Sequence, residues 1–147
     1  MFAKTFAKTF KAAAILSAVA FAAPALAQGH VVIVEQFGVN NSVGGGQTGS
    51  RQRLVVVQDG HSNVAVATQD GRRNNAAIGQ VGSNNLADTH QSGRRNTVGV
   101  AQIGHNNTAV TTQTGRNNTT AIVQQTNGAS ASVSQSGSNN TVAIVQN

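Results

Sequence analysis

The side chains able to do chemistry in this 147-residue chain are four histidines (His30, His61, His90, His105), four carboxylates (Glu35, Asp59, Asp70, Asp88) and a spaced set of arginines; there is no cysteine. A metal centre needs several donors converging on one ion, and a catalytic triad or carboxylate pair needs its members side by side. The acids here are scattered over positions read below as outward, and His61 and His105 fall two rungs apart, about 10 Å along a stack of strands. Neither a metal site nor an active site is expected, and no cofactor. The threonines are too local for an ice-binding array, and a calcium-binding nonapeptide solenoid needs a shorter period with a fixed aspartate.

The arginines carry more information. Arg51 and Arg53, Arg72 and Arg73, Arg94 and Arg95, and Arg116 return about every 22 residues. They fall in every second turn of the repeat, so all seven are expected along one edge. Joined subunits would extend that edge into a basic stripe suited to a polyanion such as extracellular DNA, acidic polysaccharide or lipopolysaccharide phosphate. Asp59, Asp70 and Asp88 are candidate gatekeepers, because stacked like charges oppose premature strand pairing. Ordinary solvation explains them equally well.

What positions these residues is a repeat. Glutamine stands at Gln36, Gln47, Gln58, Gln69, Gln80, Gln91, Gln102, Gln113, Gln124, Gln135 and Gln146, always 11 apart. Two residues later comes Gly38, Gly49, Gly60, Gly71, Gly82, Gly93, Gly104, Gly115 or Gly137, with Thr126 breaking the series. Five residues after the glutamine comes Asn41, Asn63, Asn74, Asn85, Asn96, Asn107, Asn118 or Asn140, with Gln52 and Ala129 as exceptions. Fixed-period self-similarity marks a repeat architecture.

An 11-residue period also suits a right-handed coiled coil. The glycine and asparagine in nearly every unit, and apolar residues that alternate, exclude helix and specify strand. Counting glutamine as position 0, asparagine at 5, small or β-branched residues at 7 and 9, and the next glutamine share one strand face. The Gly-x-x-Asn segment is the expected turn. Two units close a 22-residue rung of strand, turn, strand, turn. Stacked rungs give two facing parallel sheets, with inward Asn and Gln forming amide ladders at about 4.8 Å spacing. The expectation is an all-β, two-sheet solenoid of eleven strands, or five and a half rungs. It begins with Val31–Phe37, crosses Gly44-Gly45-Gly46 in its second strand Ser42–Thr48, and ends with Thr141–Gln146.

Ahead of the repeat, Lys4, Lys8 and Lys11 precede the apolar run Ala12–Ala23, then Pro24 and the triplet Ala25-Leu26-Ala27. That is the layout of a secretory signal peptide over residues 1–27, with an apolar run too short to anchor in a bilayer. Residues 28–147 then hold a single aromatic, Phe37, and a net charge of +3, against +6 for the whole chain. So few large side chains exclude a conventional core. The final strand has no cap after it and no strand from 31 onward contains proline, so the terminal edges are expected to template another chain.

The pattern Gln-x-Gly-x-x-Asn-x-Ala-x-x-x-Gln, complete at Gln69–Gln80, Gln58–Gln69 and Gln102–Gln113, resembles the curlin repeat, and the resemblance runs from about Val31 to Asn147. It implies a subunit, major or minor, of curli-type extracellular amyloid fibres of Gram-negative bacteria, which support adhesion and biofilm matrix. It also implies polymerisation with itself or a paralogous subunit, and export by the Sec route and a curli-type outer-membrane secretion and nucleation machinery. The alternative is a non-polymerising surface solenoid that binds polyanions through its arginine edge.

Overall fold

The computed structural model describes residues 19–22 and 29–147. Eleven strands follow the repeat: β2 (Val31–Val39), β3 (Ser42–Ser50), β4 (Arg53–His61), β5 (Val64–Arg72), β6 (Asn75–Ser83), β7 (Leu86–Arg94), β8 (Thr97–His105), β9 (Thr108–Arg116), β10 (Thr119–Gln124), β11 (Ser130–Ser138) and β12 (Thr141–Gln146). A short strand β1 (Val19–Ala22) precedes them. Sheet A has the order β1-β3-β5-β7-β9-β11 and sheet B the order β12-β10-β8-β6-β4-β2. Every pairing is parallel and joins residues 22 apart within the repeat, as in Gln58↔Gln80 and Gln69↔Gln91. The chain is therefore a two-sheet β-solenoid of 22-residue rungs.

The turns are tighter than the Gly-x-x-Asn segment suggests. Strands run past the glycine, and only positions 4 and 5 form the corner. The left-handed residue is the one at position 4, with φ between 52° and 62° at Asn40, Arg51, Ser62, Arg73, Asn84, Arg95, Asn106, Asn117 and Asn139. Backbone pairing continues through the corners, as Ser62 N–H donates to the Val39 carbonyl at 3.0 Å and Arg73 N–H to that of Ser50 at 3.0 Å. The glycine is needed inside the strand end. Gly82 has φ 115°, and a Cβ there would lie 2.1 Å from the Gly104 carbonyl oxygen on the next rung. Where Thr126 replaces the glycine, β10 stops at Gln124 and Gly128, at φ 71°, turns the chain instead.

The interior is filled by complementary volumes. Sheet B contributes the larger side chains, Leu54, Val56, Ile78, Val98, Val100 and Ile122, all buried. Sheet A faces them mostly with Ala65, Ala67, Ala87, Ala109 and Ala131. Large against small keeps two sheets close without rings.

One strand lies within the predicted leader. Val19–Ala22 pairs with Val43–Gly46 of β3, giving sheet A its sixth strand. The outer edge of β3 would otherwise present unpaired amides, which a short apolar run is suited to cover. The rest of the expected leader, with its lysines, Pro24 and the Ala25-Leu26-Ala27 triplet, lies outside the described residues.

Candidate functional site: amide spine and arginine edge

Each glutamine at position 0 is held by the strand alternation that turns it inward. Two continuous ladders result. In sheet B, Gln36 Nε2 donates to Gln58 Oε1 (2.7 Å), Gln58 to Gln80 (2.7 Å), Gln80 to Gln102 (2.9 Å), Gln102 to Gln124 (2.9 Å) and Gln124 to Gln146 (2.8 Å). In sheet A, Gln47, Gln69, Gln91, Gln113 and Gln135 are joined the same way at 2.6–3.1 Å. The second Nε2 hydrogen crosses to the other sheet. Gln58 reaches the Ser42 carbonyl at 3.1 Å, Gln80 that of Val64 at 3.0 Å, and Gln102 that of Leu86 at 3.0 Å. From Gln58 to Gln124 each ladder amide thus ties rung to rung and sheet to sheet. Gln58, Gln80, Gln91, Gln102, Gln113 and Gln124 are fully buried, where an unpaired amide would be costly.

The asparagines make a different ladder from the expected one. Their Oδ1 atoms accept from backbone: Asn63 N–H donates to Asn41 Oδ1 (3.0 Å), Asn85 N–H to Asn63 Oδ1 (3.1 Å) and Asn118 N–H to Asn96 Oδ1 (3.1 Å). Their Nδ2 atoms bond carbonyls four residues back and on the next rung, as Asn85 does to Val81 (3.3 Å) and Gly104 (3.0 Å). Among the described residues, Asn140 to Asn118 (3.2 Å) is the amide-to-amide contact in this column. The side chain is one methylene shorter than glutamine and sits at the corner, where the main chain needs the acceptor more than a neighbouring amide does.

The seven arginines are all exposed. Ser50, Arg72, Arg94, Arg116 and Ser138 stand in one in-register column. The next residues, Arg51, Arg73, Arg95, Asn117 and Asn139, follow in the left-handed corner position. Arg72, Arg73, Arg94, Arg95, Arg116 and Asn117 line one shallow groove. Arg53 stands apart, at the start of β4 in register with Val31 and Asn75.

The expected stacking of carboxylates is absent. Asp59 lies in register between Phe37 and Val81, Asp70 between Thr48 and Ser92, and Asp88 between Val66 and Val110. Like charge is stacked in the arginine columns instead. His61 and His105 flank Ser83 on the opposite edge, and Ser83 Oγ bonds His105 Nδ1. Among the described residues no three His, Cys, Asp or Glu side chains converge on a metal-sized space.

Sequence reasoning missed the contrast between the two outer sheet faces. Its signal, position 10 held by Val57, Gly79, Ala101, Val123 and Val145 in one set of alternate units and by Thr68, His90, Thr112 and Ser134 in the other, emerges when the repeat is read as 22 residues rather than 11.

This is a structural solenoid, held internally by side-chain amides and charged along one edge. The curlin associated repeat matches it over residues 53–82, 60–88 and 82–115, and those units are repeats of the curlin-repeat family. That family consists of structural amyloid subunits, not enzymes. No curated protein matches the chain.

Proposed function

We propose that the chain is a secreted subunit of a curli-like extracellular fibre, adding end to end and supporting cell adhesion and biofilm matrix. The observation that carries this reading is the polarity of the glutamine ladders. Every described Gln–Gln bond runs from Nε2 of the earlier residue to Oε1 of the later one. At β12, Gln146 Nε2 donates to the Ser130 carbonyl (3.2 Å) and has a hydrogen left for a further amide. At β2, the Gln36 amide oxygen offers the matching acceptor. Head-to-tail stacking continues the ladder, whereas head-to-head stacking sets like groups against each other. The leader at residues 1–27 serves export, followed by a curli-type secretion and nucleation machinery at the outer membrane of a Gram-negative cell. Residues 28–147, diluted from denaturant, should give reflections near about 4.8 Å and about 10 Å and a lag removed by seeds. A stable, soluble β-rich monomer would refute the reading.

A second reading rests on the groove between Arg72, Arg73, Arg94, Arg95 and Arg116. Guanidinium groups stacked on successive rungs favour a linear polyanion, such as DNA or acidic polysaccharide, laid along the edge. Replacing Arg72, Arg73, Arg94 and Arg95 by Gln should abolish salt-sensitive DNA binding, and unchanged binding would end the idea.

A further inference from the structure

The outer faces of the two sheets differ in chemistry. Sheet A presents Asp70, Asp88, His90, Thr112 and Ser134 outward. The central columns of sheet B, over β6, β8 and β10, carry Ala77, Gly79, Gly99, Ala101, Ala121 and Val123. These small residues floor a shallow apolar trough. Beside it Val81 and Ile103, in register and each 48% exposed, form a ridge. Of the ten large apolar side chains exposed among the described residues, nine belong to strands of sheet B and only Leu86 to sheet A; one of the nine, Val32, lies in the inward column of Leu54 and is exposed because β2 ends the stack. From β6 to β12 the outward positions of sheet B hold no charge; Glu35, Arg53 and Asp59 lie on β2 and β4 at one end. A contiguous apolar face of this size marks an interaction surface.

We propose that this face packs against the same face of a second copy, so that two solenoids pair side by side. Three observations favour a second copy. The face is self-complementary, because a twofold axis parallel to the stack lets the Val81 and Ile103 ridge of each copy settle towards the trough of the other. The four uncharged strands of sheet B, β6 to β12, at about 4.8 Å each and about 27 Å long, offer about 500 Å² per copy, so two copies together reach the roughly 1,000 Å² that a specific interface needs. The same axis sets the arginine edge of one copy beside the His61–Ser83–His105 edge of the other, keeping the guanidinium columns apart. The pairing is lateral and is a separate contact from end-to-end growth. In a fibre the trough and ridge repeat along the axis and form a dry seam between filaments.

Two glycines make the test clean. Gly99 lies in the trough and Gly44 on the outer face of sheet A, and a Cβ built at either meets nothing within 4 Å. A lysine at either position is therefore accepted by the solenoid and disturbs only what docks there. Filaments of residues 28–147, the same chain that tests the fibre reading, are weighed by dark-field electron microscopy. Wild type and Gly44→Lys should have twice the mass per unit length of Gly99→Lys, with all three retaining the reflection near about 4.8 Å. Equal mass per length in wild type and Gly99→Lys overturns the pairing. So does a Gly99→Lys chain that instead loses binding to lipid vesicles, which would make a membrane the occupant. If wild type forms no filaments, the fibre reading fails on its own. The pairing is then decided by sedimentation: a wild-type dimer with a Gly99→Lys monomer supports it, and monomers for both refute it.

Discussion

Gln58 Nε2 lies 2.7 Å from Oε1 of Gln80, 22 residues further along the chain and one rung up the stack. Gln80 in turn donates to Gln102 (2.9 Å) and across the interior to the Val64 carbonyl (3.0 Å). Gln80→Ala leaves Gln58 without its acceptor and Gln102 and Val64 without their donor, all in a buried setting. Each orphaned group costs about 1–3 kcal/mol, so the variant should show a large fall in the guanidinium midpoint of the folded or assembled protein. Gln125→Ala, at an exposed position outside both ladders, should stay within about 0.5 kcal/mol of wild type in the same titration.

Gln52 occupies an asparagine position, and the ladder is broken there. Its Nε2 bonds the Thr48 carbonyl (2.8 Å), but its buried Oε1 has no partner. The neighbouring rungs show the missing bond, since Asn96 N–H donates to Asn74 Oδ1 at 3.1 Å. With its amide nitrogen held by Thr48, the longer side chain does not bring its oxygen into a bond with the Asn74 N–H. Gln52→Asn should restore that bond and raise stability by about 1 kcal/mol, read as a higher denaturation midpoint. An unchanged or lower midpoint would contradict this account.

Glycines in this chain fall into two physical classes with opposite expected responses. Gly82→Ala places a Cβ 2.1 Å from the Gly104 oxygen in a backbone of φ 115°, and should cost at least about 2 kcal/mol. At Gly99 the same substitution meets open space and removes only unfolded-state freedom, so Gly99→Ala should be neutral or stabilising by up to about 1 kcal/mol. Thermal unfolding of the two variants beside wild type checks both signs at once.

The strand register and the two-sheet stack were legible because glutamine recurs at every eleventh position and period-2 alternation leaves one inward face. The hydrogen bonds of Asn63 or Asn85 were not, because they depend on side-chain length at a corner whose main-chain geometry the pattern does not encode. The same holds for Gly82, which reads as a turn residue yet is demanded by the backbone of the next rung. Asp59 and Asp70, candidate gatekeepers by their shared position in the 11-residue unit, gain no like-charged neighbour. They lie on different sheets, and their in-register neighbours are uncharged. Pairing of Val19–Ala22 with β3 also escaped notice, since a basic start followed by a small apolar run reads first as a leader.

Arg72, Arg94 and Arg116 stand on three successive rungs of one edge, with Arg73 and Arg95 beside them. Neighbouring rungs lie about 4.8 Å apart, well inside the screening length of about 30 Å at 0.01 M salt and beyond that of about 3 Å at 1 M. Ordering the edge therefore brings like charges together at low salt and costs less as salt rises. The assembly lag of the chain should shorten between 0.01 M and 1 M sodium chloride, and a short linear polyphosphate at low salt should have the same effect by binding the edge directly. Replacing Arg72, Arg94 and Arg116 by Gln should remove most of the response to either. Seeded and unseeded time courses across the salt series provide the measurement. A lag that ignores salt in wild type, or a salt response that survives in the triple variant, would mean that the guanidinium columns are not what opposes ordering of this edge.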